Sequence, residues 1–370
     1  MNIKSFVAKL ISKFKQSPDS GGINPFKNHQ HFSMKITSRL LLAFAPLLFL
    51  SSFVKAADEK LVIYTYESFT SEWGPGPAIK KAFEADCGGC EIEFVALDNS
   101  AGILNRVQLE GKSTRADIVL GLDTNLMALA TDTGLLAESD VDTSGLALPI
   151  DWDSKVFVPF DYSYFAFVYD TEVLPEPPTS MQELIESAED LKIIVQDPRT
   201  STPGLGLMLW VKSIYGDDAP EAFEKLSERT LSVTKGWSEA YFNLFLNGEA
   251  PMVLSYITSP AYHMAIDKTD RYQAAAFDEG HYLQVEVAAL LKDSKNAELG
   301  KKFLKFLIDA EAQSALPLTN VMYPVADIGD ALPAEFDKLV SPSKTLLFTP
   351  EEVRDNRKQW VDEWLEATTR

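Results

Sequence analysis

Only two cysteines and four histidines occur among the 370 residues, and the G-x-S-x-G, H-E-x-x-H and P-loop patterns are all missing. An enzyme reading therefore lacks its nucleophile and its base, and a binding function is the better class. His263 and His281 stand in neither metal nor triad spacing and are expected as surface or core residues. Positive charge is also scarce, with 34 Lys and Arg against 54 Asp and Glu. That balance argues against nucleic acid and against an anionic membrane surface as partners, and it suits a cationic ligand as well as simple solubility. Long apolar runs are missing too: the eleven residues Leu40 to Leu50 are too few for a comfortable membrane span.

That short run belongs to a recognisable segment. Residues 34–56, MKITSRLLLAFAPLLFLSSFVKA, carry Lys35 and Arg39, an apolar centre and a small-residue Val54-Lys55-Ala56 cleavage signal. They read as a secretory signal peptide cut after Ala56, which places the product in the periplasm. No lipid-acceptor cysteine follows. Residues 1–33 precede a complete signal peptide with its own Met34, and read as a misplaced start or an extended leader. Without residues 1–56 the chain has 26 basic and 53 acidic side chains, a net charge of −27. Export puts Cys87 and Cys90, in CGGC, into an oxidising compartment. A local disulfide is the preferred reading. A redox pair would more naturally open a helix, whereas here the helical pattern precedes the pair.

The mature chain alternates strand, turn and helix three times, through KLVIYTY, EIEFVAL and DIVLGL. The pattern predicts α/β layers with a mainly parallel sheet, with ligands bound beyond the carboxyl ends of the strands. VFVPFDYSYFAFVYD (residues 156–170) is too extended for one ordinary strand and reads as a crossing between two domains, and HYLQVEVAALL (residues 281–291) as the return. The expected division is lobe 1 over 57–159, lobe 2 over 160–284, and a return to lobe 1 with C-terminal helices over 285–370. Thr349-Pro350-Glu351-Glu352 opens the last helix.

In the second half, QDPRTSTPGLG (residues 196–206) joins a buried-strand signal to a helix start. Ser201 or Thr202 can cap that helix, with Pro203 in its first turn. Free N–H groups there could take a phosphate or carboxylate, or the stretch could be an ordinary turn. Thr258-Ser259-Pro260 repeats the same chemistry. Tyr64, Tyr66, Trp73, Tyr162, Trp237, Tyr256 and Tyr262 fall at strand ends and turns, where they could be core or could stack on a cationic ligand. Asp161 and Glu286 sit in the two crossings, as candidate partners for a cation or as paired hinge charges.

YTYESFTSEWGPGP, VPFDYSYFAFVYD, QDPRTSTPGLG, TKGWSEAY, LSYITSPAY and GHYLQVEVA together resemble the periplasmic thiamine-binding proteins of ATP-driven importers, over essentially the whole mature chain. The resemblance implies an α/β, two-lobed periplasmic solute-binding fold of type II, two domains joined by two crossing strands with the ligand cleft between them. It implies binding of thiamine, thiamine monophosphate and thiamine diphosphate, no cofactor, delivery to membrane permease and ATPase subunits, and a monomer. Ser201 and Thr202 would hold the phosphate or hydroxyethyl end, and Trp237, Tyr256, Ile257, Thr258 and Ser259 would line the cleft. Asn99 and Ser100 correspond to a contacting pair, although an acidic residue followed by Gly is the more familiar form. At Val321 some relatives have Trp. A polyamine or other organic-cation receptor of the same fold is the first alternative. A thiaminase-like enzyme is the second, and would need a reactive cleft cysteine.

Overall fold

The computed structural model describes residues 59–369. The leader and the signal peptide read from the sequence lie outside the described residues. Strand β1 (Lys60–Tyr66) is apolar and β-branched at its centre and pairs in parallel with β2 (Glu91–Leu97) and β3 (Ile118–Asp123). Helix Gly76–Asp86 connects β1 to β2, and Cys87 and Cys90, just past its end, are joined as a disulfide. Helix Ser100–Glu110 connects β2 to β3 and is capped by Asn99, whose side chain accepts from the Gly102 N–H at 2.9 Å.

β4 (Phe157–Asp170) leaves this sheet for a second one, which contains β5 (Ile193–Gln196), β6 (Thr230–Thr234), β7 (Met252–Tyr256) and the short β8 (Tyr272–Ala274). The chain returns along β9 (His281–Leu290). β4 pairs with β9 from Phe157 to Tyr164 and with β7 from Phe165 to Tyr169. One fourteen-residue strand thus serves both sheets, which explains why both its faces are buried along nearly its whole length. Short β10 (Tyr323–Pro324) adds to β4, and β11 (Thr345–Leu346) to β9.

The sheets are mixed, a departure from the mainly parallel arrangement expected. The strand order is β2-β1-β3-β9-β4 in the first lobe and β4-β7-β5-β6 in the second. Pairs β1–β2, β1–β3, β5–β6 and β5–β7 are parallel, while β3–β9, β9–β4 and β4–β7 are antiparallel. The cause is the double crossing: a strand that leaves and a strand that returns run in opposite directions, and each must pair in both places it visits. Apolar clusters cover both faces of each sheet, around Ile103 and Phe83 in the first lobe and around Trp210 and Phe245 in the second.

The last helix, Pro350–Thr368, opens with the capping box Thr349/Glu352. It packs on helix Ala219–Arg229 of the second lobe and on Thr124–Leu126 and helix Met127–Asp132 of the first. Arg354 lies 3.5 Å from Asp132, and Glu363 lies 3.0 Å from Lys212. The helix therefore grips both lobes.

Candidate ligand-binding cleft

A cavity of about 370 Å³ lies between the lobes, where the carboxyl ends of β1, β2, β5, β6 and β7 converge. The first lobe contributes Tyr66, Trp73, Asn99 and Ser100, and the second contributes Ser201, Thr202, Trp237, Tyr256, Ser259 and Tyr262. Glu286 of the crossing strand β9 completes this set.

Five of the residues singled out from sequence do not reach the wall. Ile257 is buried, with its N–H donating to the Tyr164 carbonyl at 3.0 Å. Thr258 is buried as well, its hydroxyl 2.9 Å from that of Ser163. Both turn inward because the chain must leave β7 and enter helix Ser259–Tyr262 within two residues. Asp161 stands directly behind the wall, hydrogen-bonded to Asn320. Tyr64 is core, with its hydroxyl on Glu110, and Tyr162 stacks on Tyr323 at 5.3 Å.

The crossing strands carry the most unusual chemistry. Tyr66 donates to Glu286 Oε2 at 2.7 Å. Asn320 Nδ2 lies 2.6 Å from Asp161 Oδ2 and 3.2 Å from Glu286 Oε2, so one amide serves two carboxyl groups. Gln284 reaches Glu286 Oε1 at 3.3 Å and accepts from the Tyr256 hydroxyl at 3.0 Å. Burial raises the pKa of Glu286, and nearby Asp123 adds to the rise. Burial, then the Glu286 charge, raises that of Asp161. Burial and the same carboxylates keep Tyr66 and Tyr256 as neutral phenols, able to donate.

Tyr66 can occupy this position because of Gly121. β3 shifts register against β9 between Leu120 and Leu122, and Gly121 adopts φ +96° there. A Cβ on Gly121 would run into the Tyr66 ring. The bulge is the seat of that ring.

One wall is aromatic. Trp237 stacks on Tyr241 at 5.0 Å and meets Phe242 edge to face at 5.1 Å. Its indole N–H donates to Ser255 Oγ at 2.7 Å, and Ser255 is in turn 2.8 Å from Ser259 Oγ. Tyr241 is held by His263 Nε2 at 2.9 Å, and His263 Nδ1 by Asp267 at 3.0 Å. Tyr241 and His263 both lie in π-helical turns, Glu239–Leu244 and His263–Asp267. Trp73 reaches across from the first lobe to Phe242, ring centroids 6.0 Å apart.

The opposite wall is made of hydroxyls and amides. Helix Thr202–Tyr215 has Ser201 as its N-cap residue, and no side chain caps its first N–H groups. A Cβ on Gly204 would lie 2.5 Å from the Gln196 carbonyl oxygen, so glycine lets the helix start press against the end of β5. Asn99 Nδ2 donates to the Thr200 carbonyl at 2.5 Å and Ser100 Oγ is 3.0 Å from Thr202 Oγ1, both between lobes. Lys235 and Asp98 add an exposed interlobe ion pair at 2.7 Å. The cleft is closed in this conformation.

Several lining residues were not picked out from the sequence: Asp98, Lys235, Phe242, Asn320 and Met322 among them. Phe242 follows Trp237 in an aromatic run, which was a usable signal. Asn320 had none. Val321, also on the wall, has φ +57°, a conformation that β-branched residues rarely adopt.

The chain matches the model of the bacterial extracellular solute-binding proteins over residues 74–314. It is 54% identical over 331 residues to a thiamine-binding periplasmic protein of Salmonella typhimurium strain LT2, covering 90% of this chain and 100% of that one. It is likewise 54% identical over 325 residues to the protein of that name from Escherichia coli strain K12, covering 88% and 98%. A solved structure described as a periplasmic thiamin binding protein superposes with a TM-score of 0.81 at 55% identity, covering 84% of this chain and 96% of the other. With a matched span of this length and relatives this similar, the chain belongs to the bacterial extracellular solute-binding protein family.

Proposed function

We propose that this protein is a periplasmic receptor that encloses thiamine and its mono- and diphosphate esters between its lobes and hands them to the permease and ATPase subunits of an importer. The observation that carries the reading is the composition of one closed cleft: the buried Glu286 carboxyl group of a crossing strand with Asp161 directly behind it, an aromatic wall around Trp237, and a helix start with uncapped N–H groups at Ser201. Thiamine needs all three, because it joins a stacking aminopyrimidine, a permanent thiazolium cation and, in its esters, a phosphate. The names of the relatives point the same way. Ser201 and Thr202 hold the phosphate or hydroxyethyl end, Trp237 and Tyr256 take the rings, and Asn99 and Ser100 join the lobes over the ligand. Binding involves no covalent step and no cofactor. The mature protein acts as a monomer after removal of its signal peptide.

Cys87 and Cys90 are bonded to each other and do not line the cleft, so they offer no nucleophile for thiamine cleavage. Titrating tryptophan fluorescence of the mature protein with thiamine, its phosphates and spermidine tests the assignment, with native mass spectrometry to weigh what remains bound. Saturable quenching by thiamine is expected. A clear preference for spermidine would make the protein a polyamine receptor, and recovery of cleaved thiamine would make it an enzyme.

A further inference from the structure

Three acidic residues stand side by side on adjacent strands. Asp123 of β3 pairs with Glu286 of β9, and Glu286 pairs with Asp161 of β4. Paired residues point to the same face of a sheet, so the three carboxyl groups form one row. They are 1%, 7% and 0% exposed, respectively. Such a row is costly unless something positive, or a proton, balances it.

No salt bridge among the described residues involves any of the three. The groups that face the row are Tyr66 from β1, Tyr256 from β7, Gln284 and Tyr282 on β9, Asn125 after β3, and Asn320 before β10. All are neutral. Among the described residues, the cation that acts on the row is Arg357 of the last helix, which influences Asp123 at one end. Two oxygens of the row, Asp161 Oδ1 and Asp123 Oδ2, are buried with no hydrogen-bond partner. Glu286, in the middle, opens onto the cleft.

We infer that this row is a cation subsite that exchanges a proton for the positive charge of its ligand. In the empty cleft the Asp161–Glu286 end carries a proton between its carboxyl groups. When an organic cation enters beside Glu286, that proton leaves for solvent, and the charge of the closed site stays constant. The raised pKa values of both groups agree with this. The aromatic wall contributes attraction to the same cation but cannot exchange protons at these pH values. Affinity for cationic ligands therefore rises with pH while the row still holds its proton, and affinity for a neutral ligand of the same shape does not.

The inference rests on thiamine being the ligand, and the test separates the two. The mature wild-type protein is titrated calorimetrically at neutral pH with thiamine and with deazathiamine, in which a neutral ring replaces the thiazolium, using buffers of different ionisation heat. Release of about one proton per thiamine, and none per deazathiamine, is expected. Glu286→Gln should abolish the release and weaken thiamine about tenfold or more relative to deazathiamine. Asp161→Asn serves the same purpose should the first variant not fold, and the wild-type measurement needs neither. Thiamine binding with no buffer-dependent heat, or equal release for both ligands, overturns the proton exchange and leaves the thiamine assignment standing. A wild-type protein that binds neither ligand overturns the assignment and the exchange together.

Discussion

Ser100 and Thr202 belong to different lobes and meet hydroxyl to hydroxyl at 3.0 Å, beside the Asn99 amide that donates to Thr200. Thr202 is also the first residue of a helix whose leading N–H groups lack a side-chain cap. One short segment thus serves as a clasp between lobes and as an anion-ready helix end.

Replacing both Ser201 and Thr202 with Ala should weaken thiamine monophosphate more than thiamine. Hydrogen bonds to a charged group contribute roughly 1.5–3 kcal/mol, so the extra loss for the ester is about tenfold or more. Isothermal titration of both ligands checks this. Equal losses would place the phosphate elsewhere.

Gly121→Ala should displace the Tyr66 ring, since the added methyl falls within it and the backbone there is left-handed. A destabilisation of about 1–3 kcal/mol is expected from overpacking and backbone strain, together with weaker thiamine binding. Tyr66→Phe keeps the ring and removes only the hydroxyl, with its bonds to Glu286 and Asn320. It should lose less stability than Gly121→Ala; thermal melts of the two variants decide the order.

The ligand-free protein should lose stability as pH rises above the ordinary carboxylate range. Asp161 and Glu286 have pKa values raised on folding, so above their unfolded values the native state holds more protons than the unfolded chain. Their favourable contribution is complete at low pH and fades as pH climbs through the raised values. Melting temperatures of wild type and Glu286→Gln measured across this range should converge or cross as pH rises. Parallel curves would show that Glu286 does not titrate there.

Changing Cys87 and Cys90 together to Ala should cost at most about 2 kcal/mol, because the bridge closes a very short loop. Thiamine affinity should be unchanged, as neither residue borders the cleft. A large fall in affinity would link the bridge to the site.

The parts of the site that the sequence displayed are those built by local turn chemistry. Ser201, Thr202 and Pro203 announce a helix start, and residues 156–170 and 281–291 show their double duty through apolar residues on both faces. What stayed hidden depends on contacts made far along the chain. Asn320 touches Tyr66, 254 positions away, and nothing around it marks it as a bridge between two carboxyl groups. Gly121 looks like any glycine in an apolar strand until the register shift against β9 is seen. Ile257 and Thr258 sit in a motif that does border the cleft, yet their side chains point away because the turn is tight.

The last helix sets a limit on how the molecule can move. With nineteen residues it is roughly 28 Å long, and it is tied by Arg354 to Asp132 in one lobe and through Glu363 to Lys212 in the other. A hinge of two strands alone could swing wide. Strapped by a rigid rod that holds both halves, this one is suited to a short stroke, a small rotation that parts Ser100 from Thr202 while the rod keeps its grip. A receptor built this way spends little conformational freedom on each capture.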